Sequence, residues 1–294
     1  MPSLRSSLAA LVTLALFSSV PPGSIRADRA QEHVFVTVID SKNRPVTGLD
    51  ASDFEVTIDG RPQEVLRAEP ATLPPSILIL TDRLGLDPNY TPFDLRQALG
   101  DFVKAIRARA PESKFALTTF DGPVVQVTKF TSAPGELDRQ VARLSSVTTT
   151  AAILDGMSDS AQQISRAPTE RRVIFVVVAA YREDQSSLRT DLAGEQLRMS
   201  KASLWGLEVR AQKGNYSSQA REELLDVGSR MSGGLREVVM SRSGLLSTSK
   251  RFADLILAQY DVTYAPGGGE TRSRLSVGVK GSGLRVIAPS WISR

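Results

Sequence analysis

The sequence predicts an α/β fold, a doubly wound and mostly parallel sheet, inserted in a small β-sandwich built from the two ends of the chain. Three observations carry this. Ile77-Leu78-Ile79-Leu80 and Val173-Ile174-Phe175-Val176-Val177-Val178 are short continuous apolar runs, as strands covered on both faces require. Helical and strand patterns alternate between and after these runs, which calls for right-handed crossovers in a parallel sheet. Alternating strands cluster at both ends of the chain, and neither group of three can close a core alone.

Taken in order, residues 1–30 have the pattern of a secretory signal. Arg5 is followed by the apolar stretch Leu8 to Phe17, and Ser18 to Pro22 break it. A stretch of ten residues is too short to span a bilayer comfortably. Ala27 and Ala30 are candidate cleavage ends, and a retained anchor is the alternative. Cleavage leaves no membrane span and an extracytoplasmic protein, periplasmic or secreted.

Val34 to Asp40 alternates as a strand, and Ser41 to Pro45 turns it. Asp53 to Gly60 and Gln63 to Ala68 form a hairpin, with Gly60 supplying the turn's positive φ. Residues 70–75 link to the central strand Ile77 to Asp82. Phe93 to Ala108 places Phe93, Leu95, Leu99, Phe102, Val103 and Ile106 at helical spacing. Lys114 to Phe120, the turn Asp121-Gly122-Pro123, and Val124 to Phe130 imply an antiparallel edge. Helices follow at Leu137 to Leu144 and Ala152 to Ile164, around a loop at Ser145 to Thr150.

The second apolar strand runs from Arg171 to Ala180, with Arg171-Arg172 read as a solvated strand end. A polar loop from Tyr181 to Ser187 precedes a helix at Leu188 to Ser200. A strand at Ala202 to Val209 carries Trp205 inward. A helix at Ser218 to Met231, a short strand at Leu235 to Val239 and a helix at Gly244 to Ala258 complete the middle. Strands at Tyr260 to Tyr264, Leu275 to Val279 and Leu284 to Ala288 close the chain, with Trp291 expected to pack on the sandwich. The expected divisions are therefore a signal at 1–30, a discontinuous β-module at 31–69 and 259–294, and the α/β domain at 74–258.

The 294 residues carry a net charge of +4, and half of that lies within the leader. What remains is too weak and dispersed for nucleic-acid binding. There is no cysteine, which excludes disulfides, thiolate nucleophiles and zinc–thiolate sites. The single histidine, His33, would have to carry any zinc or Ser-His-Asp chemistry by itself.

Asp82 ends the central strand, where open α/β sheets place their ligands. At this residue the sequence resembles a von Willebrand factor type A domain. The whole mature chain is similar to the secreted VWFA-related group known from acidobacteria. Four places carry the resemblance: Val36 to Asp40 with Pro45 to Leu49, Asp53 to Val56 and Asp59 to Gln63; Ile77 to Asp82; Ala152 to Met157 with Asp155-Gly156; and Tyr260 to Tyr264.

Such domains hold a divalent cation through Asp-x-Ser-x-Ser, a threonine from a second loop and an aspartate from a third. Mg²⁺ is small and hard and takes oxygen ligands, which explains those residue types. Here Asp82 matches the first aspartate. The serine positions fall on Leu84 and Leu86, the threonine position on Ala151 with Thr150 one residue away, and the last aspartate on Tyr181. Arg83 and Arg182 add positive charge where a cation would sit.

The resemblance thus implies a non-enzymatic module that binds a protein partner without a cofactor. Its loops are Arg83 to Pro92, Ser145 to Ala151 and Tyr181 to Ser187, with Arg83, Leu84, Leu86, Tyr181 and Arg182 as contact residues. One alternative is Mg²⁺-dependent adhesion through an irregular site of Asp82, Thr150 and Asp184. Another is an extracytoplasmic hydrolase, although the chain shows neither a nucleophile elbow nor a phosphate loop. Asp82 also reads as a turn former, and Asp155 as an acid favouring a helix start.

Overall fold

The structure is a computed structural model that describes residues 31–83, 91–145, 150–267 and 272–293. Its centre is a six-stranded sheet in the order β11-β10-β8-β4-β5-β6. These strands are β4 (Ser76–Thr81), β5 (Lys114–Thr119), β6 (Val125–Thr131), β8 (Arg172–Ala179), β10 (Ser203–Val209) and β11 (Arg236–Val239). All pair in parallel except β6, which runs antiparallel to β5. Every residue of β4 is buried, as its apolar run requires.

The alternation within β4 divides two cores. Ile77 and Ile79 point to one face, with Phe102, Phe175, Trp205 and Phe252. Leu78 and Leu80 point to the other, with Met157, Ile174, Leu197 and Leu224. The first face is covered by α1 (Pro92–Arg109), α2 (Pro134–Ala142) and α6 (Arg242–Leu257), and the second by α3 (Ile153–Ser165), α4 (Thr190–Ser200) and α5 (Gln219–Ser232). Burying each such side chain stabilises by about 1.5–3 kcal/mol. Thr91 caps α1 through a reciprocal bond with Asp94, which fixes where that helix starts. The helix expected at Leu137 begins at Pro134, since a proline loses nothing at a position whose N–H has no helical partner.

A second sheet gathers both ends of the chain. Its strands are β1 (Glu32–Ile39), β2 (Phe54–Ile58), β3 (Arg61–Pro70), β12 (Tyr260–Ala265), β13 (Arg272–Val279), β14 (Arg285–Ile287) and β15 (Trp291–Ser293). They pair antiparallel in the single order β14-β1-β12-β3-β2-β13-β15. β1 passes from β12 to β14 at Thr37, and β13 lies against β14, so the sheet curls over its own core. Val34, Val36, Val38, Phe54, Val56, Tyr260, Val262 and Leu275 fill that core. The strand β15 extends the expected set, and its alternation turns Ile292 toward the core while Trp291 stays 40% exposed.

The two sheets meet where the chain crosses between them. Arg171, just before β8, is buried and donates to the carbonyls of Ala71, Leu73 and Ile256 and to Gln259 Oε1. These four acceptors lie on the two crossing segments. Arg171 is therefore a buried tie rather than a solvated strand end, and Arg172 is half-buried. Residues Gln31–Arg294 form one compact unit.

Candidate functional site

β4 has β5 on one side and β8 on the other; the chain builds outward through β5 and β6, then crosses back and builds the opposite way through β8, β10 and β11. This is the point where strand order reverses and a crevice opens beyond the strand ends. Asp82 leaves β4 there, and Ala180 and Tyr181 leave β8 beside it.

Asp82 is fully buried, and its Oδ2 accepts the Ala179 N–H at 2.7 Å. That bond ties the ends of the two central strands together, which a solvated turn former would not do. Arg182 Nε lies 3.8 Å from the same oxygen, and Arg182 is 1% exposed. A buried guanidinium is costly unless a negative charge lies nearby. The backbone holds Arg182 in place: its N–H donates to Ala179 O at 3.3 Å, and its carbonyl accepts from Arg221 Nη1 at 3.3 Å. Arg221, also buried, donates to Tyr216 O at 2.6 Å and so fastens a neighbouring loop.

A second ion pair stands next to the first. Arg83 takes a left-handed φ of 64°, and its N–H donates to Thr81 Oγ1 at 3.2 Å. From there Nε reaches Asp121 Oδ1 at 2.5 Å and Nη2 reaches the Asp121 carbonyl at 3.4 Å. Asp121 is buried, whereas the Arg83 side chain keeps 28% of its surface exposed. Burial pushes the Asp121 carboxyl above the usual carboxylate range, against the opposing pull of Arg83 and of the Arg182 charge. The sequence marked Asp121 only as a hairpin turn. Its partner Arg83 is 38 residues away in sequence, and only the β4–β5 pairing brings the two together.

Among the described residues beside the crevice, 150–155 and 183–188 are pinned to one another. Thr150–Ala151 (β7) and Glu183–Asp184 (β9) form a two-residue parallel ladder where sequence pattern predicts loops. Two residues carry no readable period, which is why both were missed. Gln185 N–H donates to Ala151 O at 2.7 Å. Asp155 accepts from Ser187 N–H at 3.0 Å, Ser187 Oγ at 3.1 Å and Leu188 N–H at 2.8 Å. It therefore anchors the third loop as well as sitting in the first turn of α3.

Asp184 accepts from Ser186 Oγ at 2.7 Å and Ser218 Oγ at 3.1 Å. Thr150 is half-buried opposite Glu183. Tyr181 is half-buried and packs against the core on the α1 face. Leu84 and Leu86 lie outside the described residues. Among the described residues no group of three or more His, Asp or Glu side chains could hold a metal ion. A hard dication requires several converging oxygens. Here Ala151 offers none, Asp82 Oδ2 is engaged by an N–H, and a guanidinium sits beside it, so this donor set does not fit one.

Away from the crevice, a cavity of about 600 Å³ lies between the second sheet and the amino end of β8. His33 borders it, hydrogen-bonded to Asp261 at 3.1 Å and Glu170 at 3.2 Å. No helix among the described residues is long and apolar enough to cross a membrane.

No family model matches the chain, and no curated protein does so. Solved structures do. A von Willebrand factor type A protein from Catenulispora acidiphila aligns at a TM-score of 0.53 and 9% identity, over 90% of this chain and 75% of that one. Proximal thread matrix protein 1 from the mussel byssus, with a zinc-occupied MIDAS motif, aligns at 0.51 and 14% identity, over 66% of this chain and 48% of that one. Identities this low speak for architecture alone. With its α/β sheet, its reversal at β4 and these alignments, the chain has the fold of von Willebrand factor type A domains.

Proposed function

We propose that this chain is an exported, non-enzymatic module that binds a protein partner through the loops above the parallel sheet, without a metal ion. The observation that carries this is the buried Asp82–Arg182 pair at the point of strand reversal. It fills the place of a cation with a side chain and leaves binding to the surrounding surface. Rigid sheets commonly present recognition loops in this way. Among the described residues, Arg83, partly exposed, and Tyr216, 52% exposed, are contact groups this surface offers. Export rests on the leader-like pattern of residues 1–30. The sheet of residues 31–69 and 259–294 serves as a platform under the binding domain at 74–258.

Site-specific photo-crosslinking in the source cell tests the reading. A crosslinking residue replaces Tyr216 or Gln185, with Val125 on the edge strand β6 as control. The expected result is a defined protein adduct from the loop positions that persists in chelator. Adducts no stronger than the control count against the reading. Adducts abolished by chelator and restored by Mg²⁺ favour adhesion through Asp82, Thr150 and Asp184 instead.

A further inference from the structure

Among the charged groups of this fold, Arg182 needs a separate explanation. It ranks among the largest fully buried side chains, alongside Trp205 and Tyr260. A side chain of that size packs equally well as methionine, and such replacements of buried ion pairs are often harmless when both charges leave together. Its setting is not that of a packing residue. Asp82 Oδ2 is 3.8 Å from its Nε, a charge contact longer than an ordinary hydrogen bond. Asp121, buried a strand away, also feels its positive charge. The backbone on both sides is fixed, by Ala179 at the N–H and Arg221 at the carbonyl, so the guanidinium is delivered by rigid elements.

We propose that Arg182 is the resident cation of the crevice: its guanidinium compensates Asp82 and Asp121 from within the chain, where this fold otherwise has room for a divalent ion. The idea rests on the metal-free reading above and deepens it by naming the group that takes the ion's place. A planar guanidinium carries one permanent charge and no exchangeable coordination position. The crevice therefore keeps one charge state whatever the cation concentration, and no partner carboxylate can complete a coordination shell there. The exposed recognition charge passes to Arg83.

The test is thermal unfolding of the full chain, each variant being measured in millimolar Mg²⁺, in millimolar Mn²⁺ and in chelator. The wild-type Tm is expected to be the same in all three. Arg182→Met should lower Tm on the order of 10 °C, because it removes the positive charge beside the buried Asp82. Adding Asp82→Asn to Arg182→Met should restore at least half of that loss, which a purely steric role for Arg182 would not allow. Should Arg182→Met fail to fold, the double variant folding cooperatively is the expected result. A wild-type Tm raised by either cation overturns the proposal, as does a double variant no more stable than the single one. Crosslinking that fails while these shifts hold would remove the binding role and leave the resident cation standing. Shifts that fail while crosslinking holds would do the reverse.

Discussion

Replacing Arg171 with methionine tests how the two sheets are joined. The guanidinium donates to Gln259 Oε1, Ala71 O and Leu73 O at 3.0 Å each, and to Ile256 O. Burial draws its pKa down to about 10, with Asp261 pulling the other way, so it remains charged at neutral pH. Methionine keeps most of the stem's volume and its packing near Phe35, but strips every donor. Four acceptors on the two crossing segments then lose their partner, at about 1 kcal/mol or more each where water cannot reach. Relief of the desolvated charge returns part of this, and the net loss is about 3–5 kcal/mol. For a chain of this size each kcal/mol lowers Tm by about 2–4 °C. Urea unfolding followed by far-UV circular dichroism should show an earlier midpoint with an unchanged slope. A loss below about 1 kcal/mol would refute the view that Arg171 ties the crossings together. A transition split into two steps would show that its loss uncouples the sheets.

Three other outcomes are expected. Gly234→Ala would set a Cβ 1.9 Å from the Leu204 carbonyl oxygen, backbone that cannot yield, so stability should fall by about 3 kcal/mol or more and soluble yield with it; a Tm within two degrees of wild type would contradict this packing. Asp155→Ala removes three bonds to Ser187 and Leu188, which should cost about 1–2 kcal/mol and speed amide exchange across residues 183–188; unchanged exchange there would show that the loop is held otherwise. His33 has its pKa raised above 6.5, first by the hydrogen bond to Asp261, against the effect of burial, and then by Asp261 and Glu170 charge. Its contribution is therefore complete below that ordinary value and fades as pH climbs through the raised one. The Tm gap between wild type and His33→Gln should close in alkali, and a gap that widens there would reverse the sign.

Much of the fold was legible because period and length agreed. The β4 and β8 runs read as strands covered on both faces, and their alternating residues do divide into the two cores. The limits appear where one residue's meaning depends on a distant one. Nothing around Arg171 foretells that residues 71–73 and 256–259 converge on it, so it read as solvated. Asp121 read as a turn because its partner Arg83 is 38 residues away and meets it through sheet pairing. The ladder between β7 and β9 is two residues long, below any detectable period. Arg182 was visible as a misplaced positive charge near Asp82, but its burial was not, since a guanidinium enters a core only when the fold brings acids to meet it.

Isothermal calorimetry of Mg²⁺ into the wild-type chain asks directly whether the crevice holds an ion. A crevice already compensated by Arg182 predicts dilution heat only, across the millimolar range. A saturable one-site isotherm that Asp82→Ala abolishes would contradict it.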